Sequence, residues 1–190
     1  MTKSRDTADI NSGTNTAVGE DALESNTASS NTAVGYGALT RNTSGTRNVG
    51  IGHTSLNFNT TASYNTALGF RGLFSNTTGA SNVGLGYQAL DANTTGSNNV
   101  AIGRDALVYN TTANSNVSIG YQSLYSSNAN TNVAVGTQSG YSVTSGAVNT
   151  FIGNGSGYHI TTGSKNTIIG TYSGNQGGLD IRTSSNNIVL

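Results

Sequence analysis

The sequence predicts an all-β chain: a parallel β-solenoid, or β-roll, of ten coils of 16 or 17 residues each. Three observations predict it. An Asn that opens the motif N-[TV]-x-[VIL]-G recurs at Asn15, Asn31, Asn48, Asn65, Asn82, Asn99, Asn116, Asn132, Asn149 and Asn166, in steps of 16 or 17 residues, and ten copies at one short period are the mark of a solenoid. Inside each copy the residues alternate with period two, as a half-buried strand does. The composition supports nothing thicker than a coil. Of 190 residues 26 are Gly, 34% are hydrophobic and 8% are charged, with no Pro, Cys or Trp.

Numbering each copy from its Asn as position 1, positions 2 and 4 (Thr or Val, then Val, Ile or Leu) flank a small position 3, and position 4 is expected to face inward. Position 5 is Gly from Gly19 to Gly170 and ends the strand with a bend. The segment ALxxNTT reads as a second short extended stretch, and TG or TA after it as the next turn. A helix is disfavoured by a Gly and an Asn-Thr-Thr cluster in every copy. Coils stack at the inter-strand spacing of ~4.8 Å, so ten make a rod of roughly 48 Å. Stacking places each Asn over the next, so Asn31, Asn48, Asn65, Asn82, Asn99 and Asn116 are candidates for a hydrogen-bonded side-chain ladder. The competing reading is that Asn is there as a turn residue.

A core made of positions 2, 4 and the Leu at position 9 is thin, and small cores recruit oligomerisation. A homotrimer is expected, closed through the small residues at positions 3 and 8. Along the chain, 1–14 reads as an N-terminal arm or attachment segment, 15–131 as regular repeats, and 132–190 as variant repeats with a loop at 174–186. In that last part position 9 turns to Gly140, Gly157 and Gly174, and Tyr141 and Tyr158 are expected to turn inward, or the coil to narrow. The chain stops inside a damaged copy that starts at Asn187, as a piece of a longer protein would.

The motifs NTAVG, NVAIG and NVSIG resemble the SVAIG repeats in the heads of trimeric autotransporter adhesins. The longer unit NTAxGxxALxxNTTGxxN is similar to repeats of bacteriophage tail-fibre proteins, and the opening RDTADI resembles the start of some of them. The likeness covers residues 15–174. It implies a left-handed parallel β-roll assembled as a trimer, with other virion tail proteins and a host receptor or glycan as partners. The 17-residue period departs from the shorter autotransporter repeat.

Candidate chemistry is sparse. Glu20, Asp21 and Glu24 are the clustered carboxylates, in a chain that offers no cleft for a catalytic pair, so a solvated patch is expected. His53 and His159 lie about six coils apart. No nucleophile constellation can be assembled, the calcium nonapeptide is missing, and neither an enzyme nor a cofactor is expected. The NTT sequons read as by-products of turn chemistry. Zero net charge without a basic stripe argues against nucleic acid, and no run approaches the ~20 apolar residues of a membrane span.

Aromatic side chains carry the one suggestive pattern. Tyr36, His53, Phe70, Tyr87 and Tyr121 share position 6, and Phe58, Phe74, Tyr109, Tyr125, Tyr141 and Tyr158 fall at positions 10 and 11. Tyr36, Phe70, Tyr87 and Tyr121 are the candidate contacts for a receptor or glycan, against the alternative that such rings fill clefts between chains. The expected role is a structural fibre of a phage virion, a stiff trimeric rod for host attachment. The opening MTKSRDTADINSG lacks an apolar secretory run, which favours that role over a bacterial surface adhesin. Ice binding by a monomeric solenoid ranks third, because the Thr file lapses after Thr112.

Overall fold

The structure, a computed structural model, describes residues 14–190. The proposed N-terminal arm and RDTADI thus lie outside the described residues, apart from Thr14. Each coil contributes one strand of three residues at positions 2–4: β1 (Thr16–Val18), β2 (Thr32–Val34), β3 (Val49–Ile51), β4 (Thr66–Leu68), β5 (Val83–Leu85), β6 (Val100–Ile102), β7 (Val117–Ile119), β8 (Val133–Val135), β9 (Thr150–Ile152) and β10 (Thr167–Ile169). A hairpin of β11 (Asn175–Gln176) and β12 (Leu179–Asp180) follows, and β13 (Ile188–Val189) returns to pair with β10. The main sheet is parallel, has 11 strands in chain order, and keeps like position over like position throughout. Among the described residues there is no helix. The chain is a parallel β-solenoid.

The expected second strand is not there; ALxxNTT is a run of turns. The cause lies in the backbone at position 9, where Leu23, Leu39, Leu56, Leu73, Leu90, Leu107 and Leu124 all sit at φ between 47° and 55°. A left-handed conformation costs an L-residue about 1–2 kcal/mol and cannot continue a strand. Stacking holds it in place. Leu73 N–H donates to Ala89 O and Leu90 N–H to Ala106 O, at 3.0 and 3.1 Å, and both side chains are fully buried.

The facing of the strands also differs from expectation. Position 3 points inward in every coil, and positions 2 and 4 point out; Ala101 is fully buried while Val100 and Ile102 are half-buried. The core is built from positions 3, 8 and 9. Its width explains the choice. A Cβ on Gly84 at position 3 would already lie 3.2 Å from Leu73 Cγ of the coil before, so the Leu column leaves room for Gly, Ala or Ser alone. The small residues at positions 3 and 8 are therefore interior filler, not a face through which chains could close. At position 5, a Cβ on Gly103 (φ 130°) would stand 2.6 Å from Gly120 O, so this column must be Gly for both backbone and space.

After residue 132 the filling changes while the sheet register continues unbroken. Tyr141 and Tyr158 stay on the outside, stacked 4.9 Å apart. The space of the missing Leu is taken from the strand side by Phe151, whose ring lies 2.8 Å from where a Cβ on Gly140 would be. Val143 and Ile160 fill position 12, and Ile168 follows Phe151 at position 3, all buried. The hairpin β11–β12 is exposed along its whole length.

Candidate functional surface

Two buried asparagine columns hold the coils in register. At position 1, the backbone N–H of Asn31, Asn48, Asn65, Asn82, Asn99 and Asn116 donates to Oδ1 of the Asn one coil earlier at 2.8–3.0 Å. The column continues through Asn132, Asn149, Asn166 and Asn187. At position 12, Nδ2 of Asn42, Asn59, Asn76, Asn93 and Asn110 donates to the preceding Oδ1 at 2.7–2.9 Å. Both columns converge on one carbonyl per coil: Gly96 O accepts from Asn82 Nδ2 at 2.8 Å and Asn93 Nδ2 at 2.9 Å. These amides are inside the rod, so the NTT sequons have no free Nδ2 to modify. The two columns fix the backbone and present nothing to a ligand.

The surface with a capacity to bind is the outer face of the sheet. Positions 2 and 4 line up the half-buried or exposed side chains of Val49 and Ile51, Val83 and Leu85, Val100 and Ile102, with Leu68 and Ile152 among the most exposed. No charged residue occurs at positions 2–4 of any coil. An ordered, apolar, uncharged sheet face is a surface that water covers at a cost.

Beyond the Gly bend, the position 6 column borders that face. Tyr36, His53, Phe70 and Tyr87 stack in sequence with centroids 5.0, 5.4 and 5.2 Å apart. Arg104 then takes the place of a ring, its guanidinium 5.5 Å from Tyr87 and 5.9 Å from Tyr121. All four proposed contact residues are exposed. Stacking nevertheless covers both faces of Phe70 and Tyr87, which leaves edges and, for Tyr87, a hydroxyl. Sugar stacking needs an open ring face, and in this column only the terminal rings Tyr36 and Tyr121 have one, toward Glu20 and Thr137.

The second column holds Phe58 and Phe74, and then Tyr109, Tyr125, Tyr141 and Tyr158 at 4.9–5.0 Å spacing. Arg41 lies 3.9 Å over Phe58 and Arg71 4.0 Å over Phe74. Arg71 also forms a bidentate pair with Asp91 at 2.8 and 3.0 Å, a hydrogen bond that raises the Arg71 pKa further. The contact with Tyr109, then burial, pushes the Tyr125 phenol up to about 12. Asp180 on the hairpin falls to about 2 through its hydrogen bonds with Arg182.

Glu20 and Glu24 are exposed and Asp21 half-buried, and among the described residues no three acidic, His or Cys side chains gather as a metal site requires. Threonine at position 13 has its hydroxyl occupied within the rod: Thr60 donates to Thr77 O and Thr77 to Thr94 O, at 3.1 and 3.0 Å. Position 14 carries an exposed file of Thr61, Thr78, Thr95 and Thr112, which ends at Ala129, so the rod offers one short row of outward threonines and no flat array.

Alternation alone leaves the apolar strip hidden, because it does not say whether the larger or the smaller residue of the pair faces in. The signal that could have found it is the Leu at position 9, which cannot share one narrow coil with a large position 4. No protein family, curated protein or solved structure matches the chain.

Proposed function

We propose that the chain is a structural segment of a bacteriophage tail fibre, a stiff rod that acts as a homotrimer in host attachment. The single observation that carries the rod and its assembly is the apolar, uncharged outer face of an uninterrupted 11-stranded sheet. The choice of a phage fibre rests on the resemblance of NTAxGxxALxxNTTGxxN to tail-fibre repeats.

The occupant of the strip is two further copies of this chain. Three residues by eleven strands cover about 10 Å by 50 Å, or about 500 Å². The bordering column of rings brings this toward the ~800 Å² per partner of a specific interface. Like position lies over like position in every coil, so a second copy meets the same apolar pattern at the same pitch along the whole rod. In such a trimer the position 6 rings seal the margins of the interface. Receptor contact then falls to the open faces of Tyr36 and Tyr121, to the position 10 and 11 column and to the exposed hairpin.

Sedimentation equilibrium at micromolar concentration tests the assembly. A mass three times that of the chain is expected, and I102D should sediment as a monomer with an unchanged far-UV circular dichroism spectrum, since Ile102 lies on the outer face. A monomeric wild type, or an I102D variant that unfolds instead of dissociating, overturns the assignment. Immunogold labelling of lysates from the source, with antibody to the purified chain, separates the two settings. Label on phage tails is the expected result; label on intact cell surfaces would establish a bacterial adhesin head in its place.

A further inference from the structure

The corner that joins the coil at Asn99 to the coil at Asn116 is built differently from the others. At a regular corner the position 12 amide bridges to its neighbour, and backbone amides reach the next coil directly: Thr94 and Thr95 N–H both donate to Thr111 O, at 2.8 and 3.2 Å. Here position 12 is Ser127, and Asn110 Oδ1 is left as the one buried side-chain polar atom without a partner among the described residues. The N–H groups of Thr111, Thr112 and Ala113 converge instead on a single side-chain oxygen, Asn128 Oδ1, at 3.1, 3.1 and 3.3 Å. Two coils earlier the N–H groups of Thr77, Thr78 and Gly79 also share one acceptor, but it is a backbone carbonyl, Thr94 O, at 2.9, 3.2 and 3.4 Å; here the shared acceptor is a side-chain oxygen that a rotamer change withdraws. Asn116 Nδ2 donates to Asn99 Oδ1 at 3.2 Å, where Asn82 and Asn99 reach a carbonyl of their own coil at 2.8 Å. Tyr109 N–H to Tyr125 O is stretched to 3.4 Å, against 3.1 Å for the preceding Ala92 to Val108. The position 12 column does not resume beyond this point, because Val143 follows Ser127.

We propose that this corner is a built-in point of opening, where the rod parts between residues 110–113 and 127–130 before either flank loosens. A buried acceptor without a donor carries its full desolvation cost in the closed state and loses that cost on opening. Bending or tension on the rod is therefore released there first, with the asparagine-laddered coils on one side and the Phe151-filled coils on the other remaining closed.

Hydrogen exchange of the full chain, read by mass spectrometry, tests this. Amides 111–113 are expected to exchange faster than amides 94–96, their counterparts one coil earlier. Ser127→Asn restores the missing donor. The fold accepts Asn at this place in a 16-residue coil: Asn26 there donates to Ala28 O at 2.7 Å and accepts from Asn42 at 2.7 Å. One regained hydrogen bond should slow exchange at 111–113 by about 2- to 10-fold, with no change at 60–80. Asn128→Ala should speed it at the same amides alone. Protection at 111–113 equal to that at 94–96, or rates there that neither variant moves, would overturn the proposal.

Discussion

Removing one rung of the position 1 column is the sharpest test of what holds the rod together. In Asn82→Ala three side-chain bonds disappear, but their partners fare differently. Gly96 O keeps Asn93 Nδ2 at 2.9 Å, and Asn99 Nδ2 keeps Ala113 O at 2.8 Å. Asn99 N–H, which pointed at Asn82 Oδ1 at 2.9 Å, is left buried with no acceptor. That orphan costs about 1–3 kcal/mol, and the void left by the amide raises the total to roughly 2–4 kcal/mol. Thr95→Ala, on the exposed corner, should stay within about 0.5 kcal/mol of wild type. Asn82→Asp adds a sign. The carboxylate can still accept from Asn99 N–H, but its second oxygen faces Gly96 O in a buried site, so its folded pKa rises above the unfolded ~3.9. Below ~3.9 the neutral acid donates to Gly96 O and the variant approaches wild type. As pH rises above that, each unit removes about 1.4 kcal/mol until the folded pKa is passed. Urea unfolding followed by far-UV circular dichroism at pH 3 and pH 7, each relative to wild type, reads all of this. Asn82→Ala within 0.5 kcal/mol of wild type, or Asn82→Asp less damaging at pH 7 than at pH 3, would refute the reasoning.

Gly103→Ala should destabilise by at least about 1–3 kcal/mol, because its Cβ would press on Gly120 O, a backbone atom with nowhere to move; an unchanged urea midpoint would show the column to be a matter of habit. An alkaline titration of tyrosinate absorbance should show one phenol lagging near pH 12, and Tyr109→Phe should bring it down. Since that folded pKa lies above the unfolded ~10, Tyr125 contributes stability below pH ~10 that is lost between about 10 and 12, and chemical denaturation across that window should show the loss shrinking in the Tyr109→Phe variant.

The period of the fold was legible at once, because a solenoid repeats its backbone and so must repeat its sequence. What the sequence hid was the phase inside the period. Val100-Ala101-Ile102 alternates, but alternation does not say which face is inside; that is settled by Leu107 and Leu90 filling the lumen, and the partner of a Leu column is known only once coils are stacked. The missing second strand has a similar source. Nothing in Leu90 marks a φ of 55°, since Leu has no preference for the left-handed region and is held there by inter-coil bonds. Asn82 was legible as a ladder candidate because like residues stack in any solenoid. Its real geometry, with backbone N–H as donor and a shared carbonyl below, required coordinates. The aromatic columns were visible as positions but not as stacks, and stacking decides which faces a sugar could reach.

The exchange of core residues after residue 132 shows how the rod keeps one sheet register with two fillings, and it can be tested as a coupling. In the regular coils Leu at position 9 lies against a small position 3 of the following coil. Around β9 the sizes are reversed: Gly140 and Gly157 stand at position 9, and the Phe151 ring lies over both. Gly140 has φ 63°, close to the 47–55° that the Leu residues adopt, so Leu at 140 is compatible with the backbone and is excluded by the Phe151 ring at 2.8 Å and by the flexible end of Leu124, Cδ2 at 2.9 Å, which can shift. Gly140→Leu alone should therefore overpack, at about 1–3 kcal/mol. Phe151→Ala alone empties a fully buried site, at about 3–5 kcal/mol. Together they rebuild the Leu-over-Ala arrangement of Leu90 and Ala101, so the double variant should be more stable than the sum of the two losses predicts. Residues in direct contact couple by roughly 0.5–3 kcal/mol, and complementary sizes place this pair toward the upper end. Urea unfolding of the four members of the cycle measures it. Additivity within about 0.5 kcal/mol would mean that Phe151 and the Gly column do not compensate one another, and that the change of filling at residue 132 is two unrelated substitutions.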